Sequence, residues 1–524
     1  MKRFLDRIKE NLTVLTGGGI LLIQFLLIAA CNIKLIDNNI DCDNAKLFVH
    51  VMEMWRQGNI IIPDWAYTTT LEWDCSSLFA LPIYAVTKNI YLSFGIANIL
   101  FLLLFIGVLF YLFRGKDIIY PIFASNLICI PYAVGMLDYF NMMFFGGSQY
   151  VLKVLLPIML IAIIVRSEAA EKSKTFYYIF ITMYMIFFVI TSLSSGIYVF
   201  AVGILPVLIV YYMWKILKFE KVPAEMYLIT IVSAATAVLG VYFNQLIMGG
   251  ARGNSGMVLI NIYQVLANVS SCLAGIFELF GAAAYDTALP VFSIGGVEVV
   301  VKICVVVLAM VCGVAALFRI IRKKSDIRLI LLYSVFAWNL FVLLITNTRA
   351  GSATYEYRYH LIGMIPLLCV TSIILLDGFS KLNKVQRSIF TVIGALVLVV
   401  VNVLSFPEAL NREDKQADLK ALCAYCDELD LEYVYLYDAS NDADMCRLIH
   451  EGDSIYLCVV PEGKTWAYDF YTQYVGGDID SANAILAVDE GQYSFGEEFE
   501  AFGYKFQKFD TVANRSLYYF INER

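Results

Sequence analysis

Ile36 to Trp65 reads IDNNIDCDNAKLFVHVMEMWRQGNIIIPDW. From Asp43 to Gln57 the spacing predicts a helix, stopped at Gly58 and closed off by Pro63. At 100° per residue, Asp43, Lys46, His50 and Glu53 fall within about 80° of one another, while Leu47, Phe48, Val51, Met52 and Trp55 occupy a separate apolar sector. Such a helix lies along a membrane surface with an ionisable stripe turned elsewhere. It belongs to a connection, Asp37 to Asn89, that links two strongly apolar stretches and is too long for an idle loop.

The rest of the chain explains why a membrane surface is in play. Of 524 residues, 60% are hydrophobic and only 16% charged, against roughly 25% charged in an ordinary soluble domain. The mean hydropathy is +0.72, more than a globular surface carries. From Phe406 onward there are 24 acidic and 9 basic residues, which leaves 21 acidic and 29 basic for residues 1–405. The two regions are therefore a membrane part of net charge +8 (1–405) and an acidic soluble part of net charge −15 (406–524). The bases lie in short connections rather than along an aromatic-lined groove, which excludes a nucleic-acid binder.

Eleven transmembrane helices are expected: Val14–Ile36, Ile90–Phe113, Ile118–Met136, Met142–Val165, Phe176–Leu193, Ile197–Trp214, Ala224–Ile247, Val297–Phe318, Leu329–Thr346, Tyr359–Leu376 and Ser388–Ser405. Alternate connections hold 20 of the 29 bases, so the positive-inside rule places the N-terminus in the cytoplasm and, with an odd count, the C-terminal domain outside. The first span is long and lacks a small-x-small cleavage site, so it reads as an anchor rather than a signal peptide. Met257 to Ala284 is apolar but carries Asn261, Gln264, Asn268 and Glu278, and reads as one or two interfacial or re-entrant helices. The fold class is a polytopic α-helical membrane protein with a large first external loop and a small C-terminal α/β domain. That domain is expected to hold a helix at Asp414–Leu429 and about five short strands.

Counting from Asp43, Met54 follows eleven residues on, Gly58 fifteen, Pro63 twenty and Glu72 twenty-nine. This register resembles the first external loop of the polyprenyl-phosphate-dependent GT-C glycosyltransferases, in particular the family 39-like group of protein O-mannosyltransferases and lipid A aminoarabinose transferases. Lys46 falls where that group often carries a base. The chain departs from the pattern at Asn44, Leu47, Trp73, Asp74 and Cys75, so the group's substrate is not carried over. The resemblance implies a GT-C-like catalytic domain, a polyprenyl-phosphate sugar as donor and Asp43 as catalytic base, with Glu72 as a second acid. The chemistry agrees: a hydroxyl attacking the anomeric carbon needs a carboxylate to take its proton and cations to hold the departing phosphate. A single displacement inverts the anomeric centre without a covalent intermediate.

Candidate phosphate ligands are Lys46, Arg349, Arg358 and His360, the last three within TNTRAGSATYEYRYH beside Tyr355 and Tyr357. Asp41, His50, Glu53, Asp138 and Arg252 are expected to line the site. No cofactor is expected. Mg²⁺ or Mn²⁺ on Asp41 and Asp43 is kept as the alternative, since oxygen ligands two residues apart can share a cation. Cys42 and Cys75 share the first loop and could pair. Charges in mid-span are almost absent, Lys153 being the main exception, which speaks against a transporter or flippase. A glycan ligase or polymerase would place its large external loop later in the chain. The expected partners are membrane lipid, the lipid-linked sugar and a cell-surface glycan, lipid or protein acceptor, at a bacterial plasma membrane.

Overall fold

The computed structural model describes residues 2–67, 70–169, 174–248, 258–283, 290–347, 357–450, 452–467 and 469–521. Arg252, Arg349 and Tyr355 lie outside the described residues. The chain is a polytopic helical membrane protein with a C-terminal α/β domain. Among the described residues ten helices are long and apolar enough to cross a membrane: Leu12–Lys34, Ile90–Leu112, Lys174–Ser195, Phe200–Leu217, Ala224–Ile247, Ile262–Leu279, Ile294–Ile321, Ile327–Ile345, Tyr357–Phe379 and Val385–Ala409. Nine coincide with expected spans; the tenth falls in the segment expected to lie in the interface.

The two remaining expected spans are interrupted. Ile118–Met136 is helical only over Ile119–Ile128, and Pro131 and Gly135 follow. Met142–Val165 splits into Tyr139–Phe144 and Val151–Ser167, parted by Gly146 and Ser148, both with positive φ. Apart from Lys153 and the Arg166-Ser167 end, Val151–Ser167 is apolar on every side and almost wholly buried within the bundle, as such a helix must be. The outer helices instead leave large side chains uncovered, such as Leu228 and Val403, as lipid contact allows.

The basic connections meet at one end of the bundle. Lys116 lies 3.4 Å from Asp326, the Arg328 guanidinium donates to the Arg114 carbonyl, and Arg319 pairs with Asp377. At the opposite end lie the helix Cys42–Gln57 and the C-terminal domain. Here β1 (Val258–Leu259) pairs antiparallel with β2 (Thr346–Asn347), joining two inter-helix connections. The C-terminal sheet has six strands in the order β4-β3-β5-β8-β7-β6, one more than expected. They are β3 (Tyr433–Tyr437), β4 (Ile455–Val459), β5 (Ala484–Asp489), β6 (Glu498–Ala501), β7 (Tyr504–Val512) and β8 (Arg515–Ile521). β3 runs parallel to β4 and β5, and the rest is antiparallel.

This domain is stitched to the first loop. Ala66 N–H donates to the Phe470 carbonyl at 2.7 Å, and Thr472 N–H to the Asp64 carbonyl at 2.9 Å. The Gln416 amide reaches the Ile40 carbonyl at 3.0 Å. The helix Ser440–Ile449 packs directly on Cys42–Gln57. The apolar face of Cys42–Gln57 is covered in turn by the bundle, with Phe48 stacked on Phe94 at 3.9 Å.

Candidate active site

The helix Cys42–Gln57 is fixed at both ends. The Asp41 side chain caps it by accepting from the Asn44 N–H at 3.0 Å, which satisfies an otherwise orphaned first-turn donor. Gly58 ends it in the left-handed region, φ 62°, where glycine carries no Cβ penalty. Asn44, one of the departures from the family pattern, has its own role. Its amide donates to Asp41 Oδ2 at 3.0 Å and its carbonyl oxygen accepts from the Gly147 N–H at 2.5 Å. A Cβ on Gly147 would stand 2.2 Å from the Leu47 side chain. The break at Gly146-Gly147 thus lets this segment close on the helix Cys42–Gln57.

Three ionisable side chains converge one to two turns along. Lys46 Nζ lies 3.6 Å from Glu72 Oε1 and donates to the Ala66 carbonyl at 3.0 Å. His50 Nδ1 lies 3.4 Å from Glu72 Oε2, too poorly aligned for a hydrogen bond, so among the described residues both atoms lack a hydrogen-bond partner. His50 stacks on Trp65 at 4.8 Å, and its Nε2 lies 3.3 Å from the Tyr67 hydroxyl. Trp65 in turn packs against Phe470, tilted, at 5.5 Å and edge-to-face against Tyr471 at 5.4 Å, so the second domain closes the far side.

Burial sets the protonation states. It holds the Glu72 carboxyl above the usual carboxylate range, with Lys46 opposing and Asp43 reinforcing the rise. Burial, helped by Lys46, pushes His50 down to about 3, so the imidazole is neutral at physiological pH. Asp41 is pushed up to about 7 by burial against the pull of the Asn44 N–H, the Asp43 charge adding to the rise. These are the environments in which functional carboxylates are found.

The structure brings Asp41, Asp43, Lys46, His50 and Glu72 into one electrostatic neighbourhood. Glu53 turns away to pair with Arg56 at 2.7 Å. Asp138 is half-buried near Tyr357 and Lys302, and burial raises its carboxyl. Asn141, three residues further on, donates to Asp41 Oδ2 at 3.4 Å. Arg358 lies over the Tyr359 ring at 5.7 Å, and Tyr359 packs against Tyr150 and Tyr198. His360 is buried against Gly275, on the helix that carries Val265–Leu279. Cys42 and Cys75 are both free thiols: Cys42 donates to Asn441, and Cys75 to the Glu72 carbonyl. Among the described residues no group of three or more His, Cys, Asp or Glu is placed to hold a metal ion.

Two features escaped the sequence reading. Asp444, on Ser440–Ile449, faces the site from the second domain. Burial raises its carboxyl to about 7, with Arg447 and Lys46 pulling it down and Asp469 and Asp43 pushing it up. Asn441, one turn earlier, touches Cys42 at 3.2 Å. No signal in the sequence links residues four hundred positions apart. Asp74, with Lys153, is the second, and Lys153 had stood out as the rare mid-span charge.

No protein-family model and no curated protein sequence matches the chain. Solved structures do. ArnT from Cupriavidus metallidurans in the apo state is 12% identical, covers 97% of this chain and 98% of its own, and superposes with a TM-score of 0.56. The same protein bound to undecaprenyl phosphate gives 11%, 96%, 97% and 0.55. The archaeal oligosaccharyltransferase AglB from Archaeoglobus fulgidus, in complex with an inhibitory peptide and a dolichol-phosphate, gives 10%, 93%, 70% and 0.54. At such identities the likeness is one of architecture, and it runs through both the helical bundle and the C-terminal domain: the chain has the GT-C fold.

Proposed function

We propose that this protein is an inverting glycosyltransferase that moves a hexosyl or pentosyl unit from a polyprenyl phosphate to a hydroxyl of a cell-surface glycan, lipid or protein. The observation that carries the reading is the buried Lys46–Glu72–His50 centre beside Asp43, roofed by a second domain. It stands in a fold shared with proteins solved with dolichol-phosphate and undecaprenyl phosphate. Asp43 takes the proton as the acceptor oxygen bonds to the anomeric carbon. The bond from that carbon to the phosphate oxygen breaks, and the electron pair leaves with the polyprenyl phosphate. Lys46 and Arg358 balance the phosphate charge, with Arg349 and His360 as further candidates. Glu72 holds Lys46 and orients the acceptor, and no metal step is required. The basic connections are assigned to the cytoplasm and the site to the outer face of the plasma membrane.

The test is sugar transfer in membranes supplied with polyprenyl-phosphate sugars, comparing wild type with Asp43→Asn at equal expression. A loss of about 10²-fold or more is expected for a missing general base. Near-normal turnover of the variant refutes the assignment. Inhibition by EDTA that Mn²⁺ reverses would instead call for a cation on Asp41 and Asp43.

A further inference from the structure

Glu72 adopts φ +61°, a left-handed conformation that a residue with a Cβ keeps only where its surroundings over-determine it. Those surroundings are two consecutive serines at the end of Lys174–Ser195. The N–H of Leu71 donates to the Ser194 carbonyl at 3.1 Å, and the N–H of Trp73 to Ser194 Oγ at 3.1 Å. The residues before and after Glu72 are thus held by one serine. Ser194 Oγ in turn donates to Asp74 Oδ1 at 2.7 Å, and Ser195 Oγ to Asp74 Oδ2 at 2.6 Å. Lys153 Nζ completes the arrangement, 3.1 Å from Asp74 Oδ2 and donating to the Gln149 carbonyl at 3.1 Å. Asp74 is 1% exposed, and its three partners reach it from two membrane helices. The Asn244 amide holds the Ser194 carbonyl from a third, at 2.6 Å.

We propose that Asp74, Ser194, Ser195 and Lys153 form a clamp that positions Glu72 against Lys46 and His50, so that these four residues tune transfer without touching substrate. This rests on the reading of Glu72 as part of the active site. A buried ion pair that only stabilised the bundle would satisfy Asp74 equally well, but it would not account for the bonds on either side of Glu72. Nor would it explain why the left-handed residue is the one facing the catalytic helix.

A double-mutant cycle on the full chain in membranes separates the two roles. Transfer from polyprenyl-phosphate sugars is measured for wild type, Glu72→Gln, Asp74→Asn and the double variant, each with its melting temperature. Asp74→Asn is expected to lower turnover about 10-fold when Glu72 is present and less than about 2-fold when it is Gln, because the group being positioned is already gone. Equal losses in both backgrounds, or no loss in either, overturn the clamp. Wild-type turnover of Glu72→Gln overturns the assignment of Glu72 itself and the clamp with it, so the two failures are distinguishable. Ser195→Ala removes a single hydroxyl from Asp74 and serves where Asp74→Asn does not fold. Its loss, about 3-fold, should likewise vanish in the Glu72→Gln background.

Discussion

Replacing Lys46 by Met removes the cation that faces Glu72 while keeping most of the side-chain volume. The two groups are 3.6 Å apart and about 10% exposed, so solvent screens them little. With an effective dielectric near 20, a pair at that separation is worth about 4–5 kcal/mol. Loss of the cation exposes the buried carboxylate to a penalty of that order, but the carboxyl can escape it by taking up a proton. For a carboxyl of ordinary pKa that uptake costs about 5 kcal/mol at pH 8 and about 1 kcal/mol at pH 5. The cheaper route prevails, so the destabilisation should fall from several kcal/mol at pH 8 to about 1 kcal/mol at pH 5. The sign follows from Glu72, whose folded-state pKa already lies above its ordinary value because of burial. A carboxyl raised in this way favours folding below its unfolded pKa and loses that contribution as the pH rises, more steeply once Lys46 is gone. Thermal unfolding of wild type, Lys46→Met and Lys46→Met/Glu72→Gln in detergent at both pH values measures it. The double variant should be more stable than the single one at pH 8. A loss independent of pH, or one that Glu72→Gln does not relieve, refutes the pairing.

Asp444→Asn removes a buried carboxyl that burial raises to about 7 and that faces Lys46 and Asp43. The inflection that its ionisation imposes on the transfer–pH profile at about pH 7 should then vanish; a profile unchanged from wild type in that range sinks the idea that the second domain tunes the site. Gly147→Ala puts a methyl 2.2 Å from the Leu47 side chain and 3.0 Å from Asn44 Oδ1. It should cost about 1–3 kcal/mol of stability by overpacking, whereas a melting temperature equal to wild type would contradict the close approach. Trp65→Ala empties a site 2% exposed between His50 and Tyr471 and should cost about 3–5 kcal/mol. Limited proteolysis should then release the C-terminal domain earlier than in wild type, and unchanged cleavage would argue against Trp65 as the joint.

Much of the bundle was legible because a lipid-facing helix must be apolar over about 20 residues. Lys174–Ser195 and Ile294–Ile321 announce themselves by composition alone. The two failures have one cause. Around Gly135 and Gly146 the residues remain apolar, so hydropathy carries across the break, while the backbone turns there. The Asp43 stripe was legible as a periodicity but its environment was not: amphipathicity shows that Lys46 and His50 share a side, and cannot show that this side is buried under Trp65, Tyr67 and a second domain.

By itself the sequence determined nine of the helices apolar enough to cross a membrane and that Asp43, Lys46 and Glu72 occupy one loop, because hydropathy and spacing are local properties of the chain. Tertiary structure alone decided that Glu72 meets Lys46 and His50, that Asp444 faces them across the domain junction, and that Asp74 is held by Ser194, Ser195 and Lys153. Those contacts join residues separated by up to four hundred positions. They arise from how helices pack and how buried charges must find partners, and no pattern along a single chain encodes that.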